Sequence, residues 1–127
     1  MAAWRVFKFV TDGGRCPLDE WLLSNAVTDE DAAVLFARLE VIEGVEGRLP
    51  PEWIKKYKGS SVYELKVRAP NKQLRPFCVY IDGKRSVILC GAIEKGGKIP
   101  AGNVQHAENL LQKFKDGKGE IRPYDET

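Results

Sequence analysis

Residues 62–93, VYELKVRAPNKQLRPFCVYIDGKRSVILCGAI, decide the fold. Side chains on a strand switch faces at every residue, and residues 62–68 keep that period. Tyr63, Leu65 and Val67 point one way, and Glu64, Lys66 and Arg68 the other. A second strand covers 74–81 and opens with Arg75. Pro76 follows directly, which removes a backbone donor and suggests an edge or a bulge. Asp82-Gly83 is a hairpin signal. The third strand, SVILCGAI over 86–93, is an almost continuous apolar run, as expected where both faces are buried.

Working outward, WRVFKFVT (4–11) alternates as a first strand, followed by the turn Asp12-Gly13-Gly14. Pro17 suits the first turn of a short helix carrying Leu18, Trp21 and Leu22. Thr28 and Asp31 form an imperfect capping box for a second helix, with Leu35, Phe36, Leu39 and Ile42 on one face and Gly44 near its end. The segment RLPPEWIKKYKGSS reads as a connection, because its two prolines forbid a helix. PAGNVQHAENLLQKF starts a last helix at Pro100 and sets Val104, Ala107, Leu111 and Phe114 on one stripe. The order β-α-α-β-β-β-α predicts an α+β fold. An N-terminal strand and a helical hairpin pack on a mostly antiparallel sheet, with a C-terminal helix. One domain is expected over 1–116, with 117–127 as a flexible tail.

The chain has 127 residues, 43% hydrophobic and 30% charged, the composition of a globular protein. No apolar stretch approaches the length of a membrane span, and no signal-peptide pattern opens the sequence. Three widely spaced cysteines (Cys16, Cys78, Cys90) and a single histidine support neither a disulfide framework nor a zinc site, so a cytoplasmic location is expected. The net charge of +2 hides a segregation. Residues 1–47 hold four basic and nine acidic side chains, whereas residues 48–99 hold twelve basic and four acidic. Such a basic segment is the footprint of a phosphate-rich partner, or else a solvated face.

Cations on strands are held in fixed relative positions, which suits gripping a phosphodiester. Arginine suits it best, through its planar, permanently charged fork. Lys55, Lys56 and Lys58 form a second basic cluster, either a sequence-blind contact to RNA or a solvated loop. Gly96-Gly97 reads as a turn. His106 falls off the apolar stripe of its helix and is expected to be exposed. Tyr63 and Tyr80 are expected in the core rather than stacked on bases, and Cys78 and Cys90 as small core residues.

The pattern in residues 57–107 resembles the RelE/HigB-like toxins of bacterial and phage toxin–antitoxin modules, especially the phage-derived branch. The residues that carry the likeness are Val62-Tyr63-Glu64-Leu65-Lys66, Arg75, the strand to Ile93, Glu94-Lys95-Gly96-Gly97-Lys98-Ile99-Pro100, and Val104 with Ala107. Lys66 stands where that motif prefers Arg. Glu94 replaces the first lysine of a Lys-Lys pair. The resemblance implies a RelE-like fold and a ribosome-dependent mRNA endoribonuclease without metal or other cofactor, in which a ribose 2′-hydroxyl attacks the adjacent phosphate. It implies mRNA on the ribosome and a cognate helix-turn-helix antitoxin as partners, and no membrane. Arg75 is then the first candidate for charge stabilisation, with Lys66 and Lys95 next. Glu64 is either general base or a carboxylate that holds neighbouring cations. Arg68, Lys98, Lys55, Lys56 and Lys58 are candidate phosphate ligands. The alternative is a non-catalytic RNA-, ribosome- or protein-binding module of the same fold, and the loss of a cation at Glu94 favours it.

Overall fold

The computed structural model describes residues 3–127. The elements run β1 (Arg5–Thr11), α1 (Pro17–Leu22), α2 (Asp29–Glu43), β2 (Ile54–Lys56), β3 (Tyr63–Leu65), β4 (Val67–Ala69), β5 (Lys72–Asp82), β6 (Arg85–Ile93), α3 (Ala101–Lys115) and β7 (Gly119–Pro123). Among the described residues seven strands form one sheet in the order β2-β3-β5-β6-β1-β7, and β4 also pairs with β5. Every pairing is antiparallel except β1 with β6, where Phe7 lies opposite Val87. The expected α+β architecture is present.

The two faces of the sheet bury different sets of side chains. Helices α1 and α2 cover one face, where Leu18, Leu35, Leu39 and Ile42 meet Val6, Leu65, Val67, Leu74 and Ile88. Helix α3 covers the other, where Val104, Ala107, Leu110 and Leu111 meet Phe7, Phe9, Phe77, Val79 and Leu89. A sheet clothed on both faces explains why β6 reads as one apolar run. Its residues 86–92 are all buried.

The termini of α2 are set by local chemistry. The Thr28 hydroxyl accepts from the Asp31 N–H at 3.1 Å, and the Asp31 carboxylate accepts from the Thr28 N–H at 2.9 Å. The capping box is therefore complete. Lys72, at the start of β5, adds an ion pair to Asp31 at 2.8 Å. It ties the helix N-terminus to the sheet.

Three expectations fail. The stretch 62–68 is not one strand. It breaks at Lys66, whose N–H bonds to the carbonyl of Trp53 at 2.7 Å, outside the ladder. The alternation survives the break, and Leu65 and Val67 both reach the α2 side. Residues 54–56 are strand β2, paired with β3, although Pro50 and Pro51 precede them. The prolines forbid only a helix across themselves. The tail is not loose either. Residues 119–123 form β7 on the open edge of β1, with Ile121 opposite Phe9, and Tyr124 is buried against Phe36 at 5.9 Å between ring centroids. A five-residue strand with two charges carries too weak a hydrophobic signal to be read without its partner.

Candidate functional site

The register of three strands assembles a charged cleft on the α3 side of the sheet. Lys55 of β2 lies opposite Glu64 of β3, and Glu64 lies opposite Phe77 of β5, two residues beyond Arg75 on the same face. After β6 the chain makes a two-residue turn. Lys95 and Lys98 exchange backbone hydrogen bonds of 2.8 and 3.0 Å around Gly96 and Gly97, whose φ angles are +56° and +77°. Two central residues with φ > 0 make the type I′ turn favoured by so short a hairpin, and glycine takes that conformation without strain. The turn returns Lys98 to the vicinity of Glu94. The resulting cleft, about 480 Å³, is lined by three ammonium groups (Lys55, Lys58, Lys98), two carboxylates (Glu64, Glu94) and the ring of Tyr57.

Glu64 is almost fully buried. A buried carboxylate requires partners. The cations that share its cleft are Lys55, opposite it on β2, Lys58 and Lys98, and no ion pair joins any of them to Glu64 among the described residues. Arg75 lies beneath the cleft, 7% exposed. Its Nη2 donates to Glu94 Oε1 at 3.2 Å and its Nη1 to the carbonyl of Leu74 at 3.0 Å. Its Nε is buried with no hydrogen-bond partner among the described residues.

The sequence-derived candidates divide cleanly. Glu64, Lys55, Lys58 and Lys98 share the cleft, and Arg75 touches it through Glu94. The others lie elsewhere. Lys56 alternates to the other face of β2, opposite Tyr63, and borders a separate depression with Tyr63 and Tyr80. Lys95 borders a depression with Trp21 and Asn103. Arg68 borders another with Val34 and Val41 of α2. Lys66 sits at the break between β3 and β4, apart from the residues that line the cleft. For Lys56 strand alternation is the reason, since neighbouring Lys55 and Lys56 cannot share a face.

Several side chains considered above are structural. Tyr63 and Tyr80 pack on one another with ring centroids 4.7 Å apart, and Trp4 packs on Tyr80 at 5.1 Å. Burial raises the pKa of the Tyr80 phenol above its ordinary value. Burial pushes the Cys78 and Cys90 thiols up to about 12, so both are neutral core groups at physiological pH. His106 is exposed on α3.

Two cleft residues had no role assigned from sequence: Tyr57, and Glu94 as an ion-pair partner. Reading IKKYK as a strand would have put Lys55 and Tyr57 on one face, two residues apart. The pairing of Glu94 with Arg75 has no local signal, because it spans 19 residues across a hairpin.

Among the described residues, no helix is long and apolar enough to cross a membrane. No match to this chain is found among curated proteins. Residues 23–112 match the family described as phage derived protein Gp49-like (DUF891), a span that runs from before α2 into α3 and contains the whole cleft and Arg75. With more than half of its length so matched, the chain belongs to the Gp49-like family of phage-derived proteins.

Proposed function

We propose that this protein is a RelE/HigB-like toxin of a type II toxin–antitoxin module, and that its cleft binds and cuts mRNA on the ribosome. The observation that carries the reading is that Lys55, Lys58 and Lys98 line one cleft together with the buried Glu64 within a Gp49-like chain. The three ammonium groups, set against the carboxylates of Glu64 and Glu94, leave the cleft one net positive charge, the complement of a phosphodiester, and stabilise the more highly charged phosphorane it becomes. Glu64 takes the proton from the ribose 2′-hydroxyl. The 2′-oxygen attacks phosphorus, the bond to the 5′-oxygen breaks, and a lysine of the rim returns a proton to that oxygen. The products are a 2′,3′-cyclic phosphate and a free 5′-hydroxyl, so the proton balance closes within the cleft. Tyr57 offers a face on which a base can stack. A cognate antitoxin, expected as a helix-turn-helix protein, acts by covering this cleft or by docking on a helix.

The test is a translation assay with purified ribosomes and a defined mRNA, mapping 5′ ends for wild type, Glu64→Gln and Lys98→Met. Cuts within A-site codons from wild type, reduced about 100-fold or more by loss of the general base, are expected. No cuts from folded wild type overturn the enzyme reading. Two observations favour a second reading, a non-catalytic RNA-binding module: Lys66 and Lys95 do not line the cleft, and Glu94 neutralises Arg75. RNA that binds without being cut would establish it.

A further inference from the structure

We infer that Glu94 occupies the phosphate site of Arg75, its carboxylate standing in for a phosphoryl group until one enters the cleft. The inference rests on the reading of the cleft as a phosphodiester site, and it assigns to Glu94 the control of access to the strongest cation there.

A guanidinium presents two edges that can take a pair of acceptor oxygens. In Arg75, one N–H of Nη1 donates to the carbonyl of Leu74. Nε and Nη2 form the side edge of the fork, which an anion can grip with two oxygens. Glu94 uses half of it. Its Oε1 meets Nη2 at 3.2 Å, long for a charged pair, while Nε has no partner. A buried donor left unsatisfied is a standing cost that a better-shaped anion removes.

The two partners are also unequally held. The Arg75 side chain is 9% exposed and fixed in the middle of the sheet, whereas that of Glu94 is 26% exposed and lines the cleft. Glu94 follows the last residue of β6 and precedes the Gly96-Gly97 turn. It is therefore the member of the pair that can turn outward. A phosphate with tetrahedral oxygens satisfies both Nη2 and Nε, and the displaced carboxylate finds Lys98, which lines the same cleft. The pair is thus an exchange of one anion for another, and it keeps a buried cation neutralised while the cleft is empty.

The probe is inorganic phosphate, exchanged for chloride at constant ionic strength, with nitrogen-15-labelled protein. The Arg75 Nε–H resonance, assigned by its loss in Arg75→Lys, should shift as phosphate is added. Glu94→Gln should bind phosphate about tenfold more tightly than wild type, the scale of one charge-assisted hydrogen bond. Equal affinities, or an Nε–H resonance that stays in place at saturating phosphate, overturn the exchange. If Glu94→Gln does not fold, wild type decides alone: the resonance must move and phosphate must raise the unfolding midpoint above its value in chloride. RNA cleavage is scored separately. Cleavage without a phosphate response at Arg75 removes the exchange and leaves the activity. A phosphate response without cleavage removes the activity and leaves the exchange.

Discussion

Gly91 shows how one absent side chain places an element. A Cβ built there would lie within the ring of Trp21, at Cε3, Cδ2 and Cζ3, so α1 can rest on β6 only if position 91 carries no side chain. We expect Gly91→Ala to destabilise the fold by about 1–3 kcal/mol, since overpacking of a tight contact forces either the ring or the backbone to move. Thermal unfolding checks the size. A double variant with Trp21→Leu checks the cause, because the two losses should be markedly less than additive if they share this contact. An unchanged midpoint in Gly91→Ala would mean that the ring yields freely. The residue scale is also where sequence reading of the site was weakest. The family resemblance names Glu64 and the lysine cluster names Lys55 together with Lys56 and Lys58; Glu64, Lys55 and Lys58 are in the cleft and Lys56 is not. Strand alternation, carried through IKKYK, excludes Lys56, but the prolines before it suggest a loop. Glu94 registers in the sequence only as a missing cation. Its meaning depends on Arg75, 19 residues away, and such long-range pairing leaves no mark on either neighbourhood.

At the scale of elements, α2 illustrates how a helix end and a strand are fastened together by one carboxylate. Asp31 caps the Thr28 N–H and pairs with Lys72 of β5. The Lys72 ammonium, and then the Thr28 backbone N–H, hold its pKa below the ordinary carboxylate value. A folded-state pKa that is depressed means stability present above the unfolded value of about 3.9 and lost as pH falls through the folded one. Asp31→Asn should therefore cost about 1 kcal/mol near pH 7, the scale of a lost cap. The gap between its unfolding midpoint and that of wild type should close as pH drops below about 4. A gap that stays constant down to pH 3 would assign the cost to packing and not to charge. Elements of this kind were legible: Thr28 with Asp31, the apolar period of α2, the Asp82-Gly83 hairpin and the run of β6 are all local patterns. β2 and β7 were not. Their short residue runs become strands only because β3 and β1 present open edges to them.

At the scale of the whole molecule, the chain ends meet on one strand. β1 is inserted parallel to β6, and β7 returns antiparallel on its other side, so the N-terminal strand is interior to the sheet. The burial of β1 follows from this position: Val6 through Val10 are all buried, even Lys8, whose ammonium bonds to Asp19 at 2.9 Å and to the carbonyl of Glu126. A lysine on an exposed edge would need no such partners. Residues 117–127 thus complete the fold and are not an appendage to it. Removing them would uncover the backbone edge of β1 together with Phe9, and would strip Tyr124 from Phe36 and the Glu126 carbonyl from Lys8. The loss of Tyr124 and Ile121 burial alone should cost about 3 kcal/mol, which for a chain of this size lowers the unfolding midpoint by about 10 °C. The bared apolar edge should also promote self-association. A chain ending at Asp116 should accordingly elute as higher-order species in size-exclusion chromatography and unfold early. If it instead stays monodisperse with an unchanged midpoint, then β7 contributes nothing to the stability of β1, and the burial of Lys8 must be sustained by Asp19 alone.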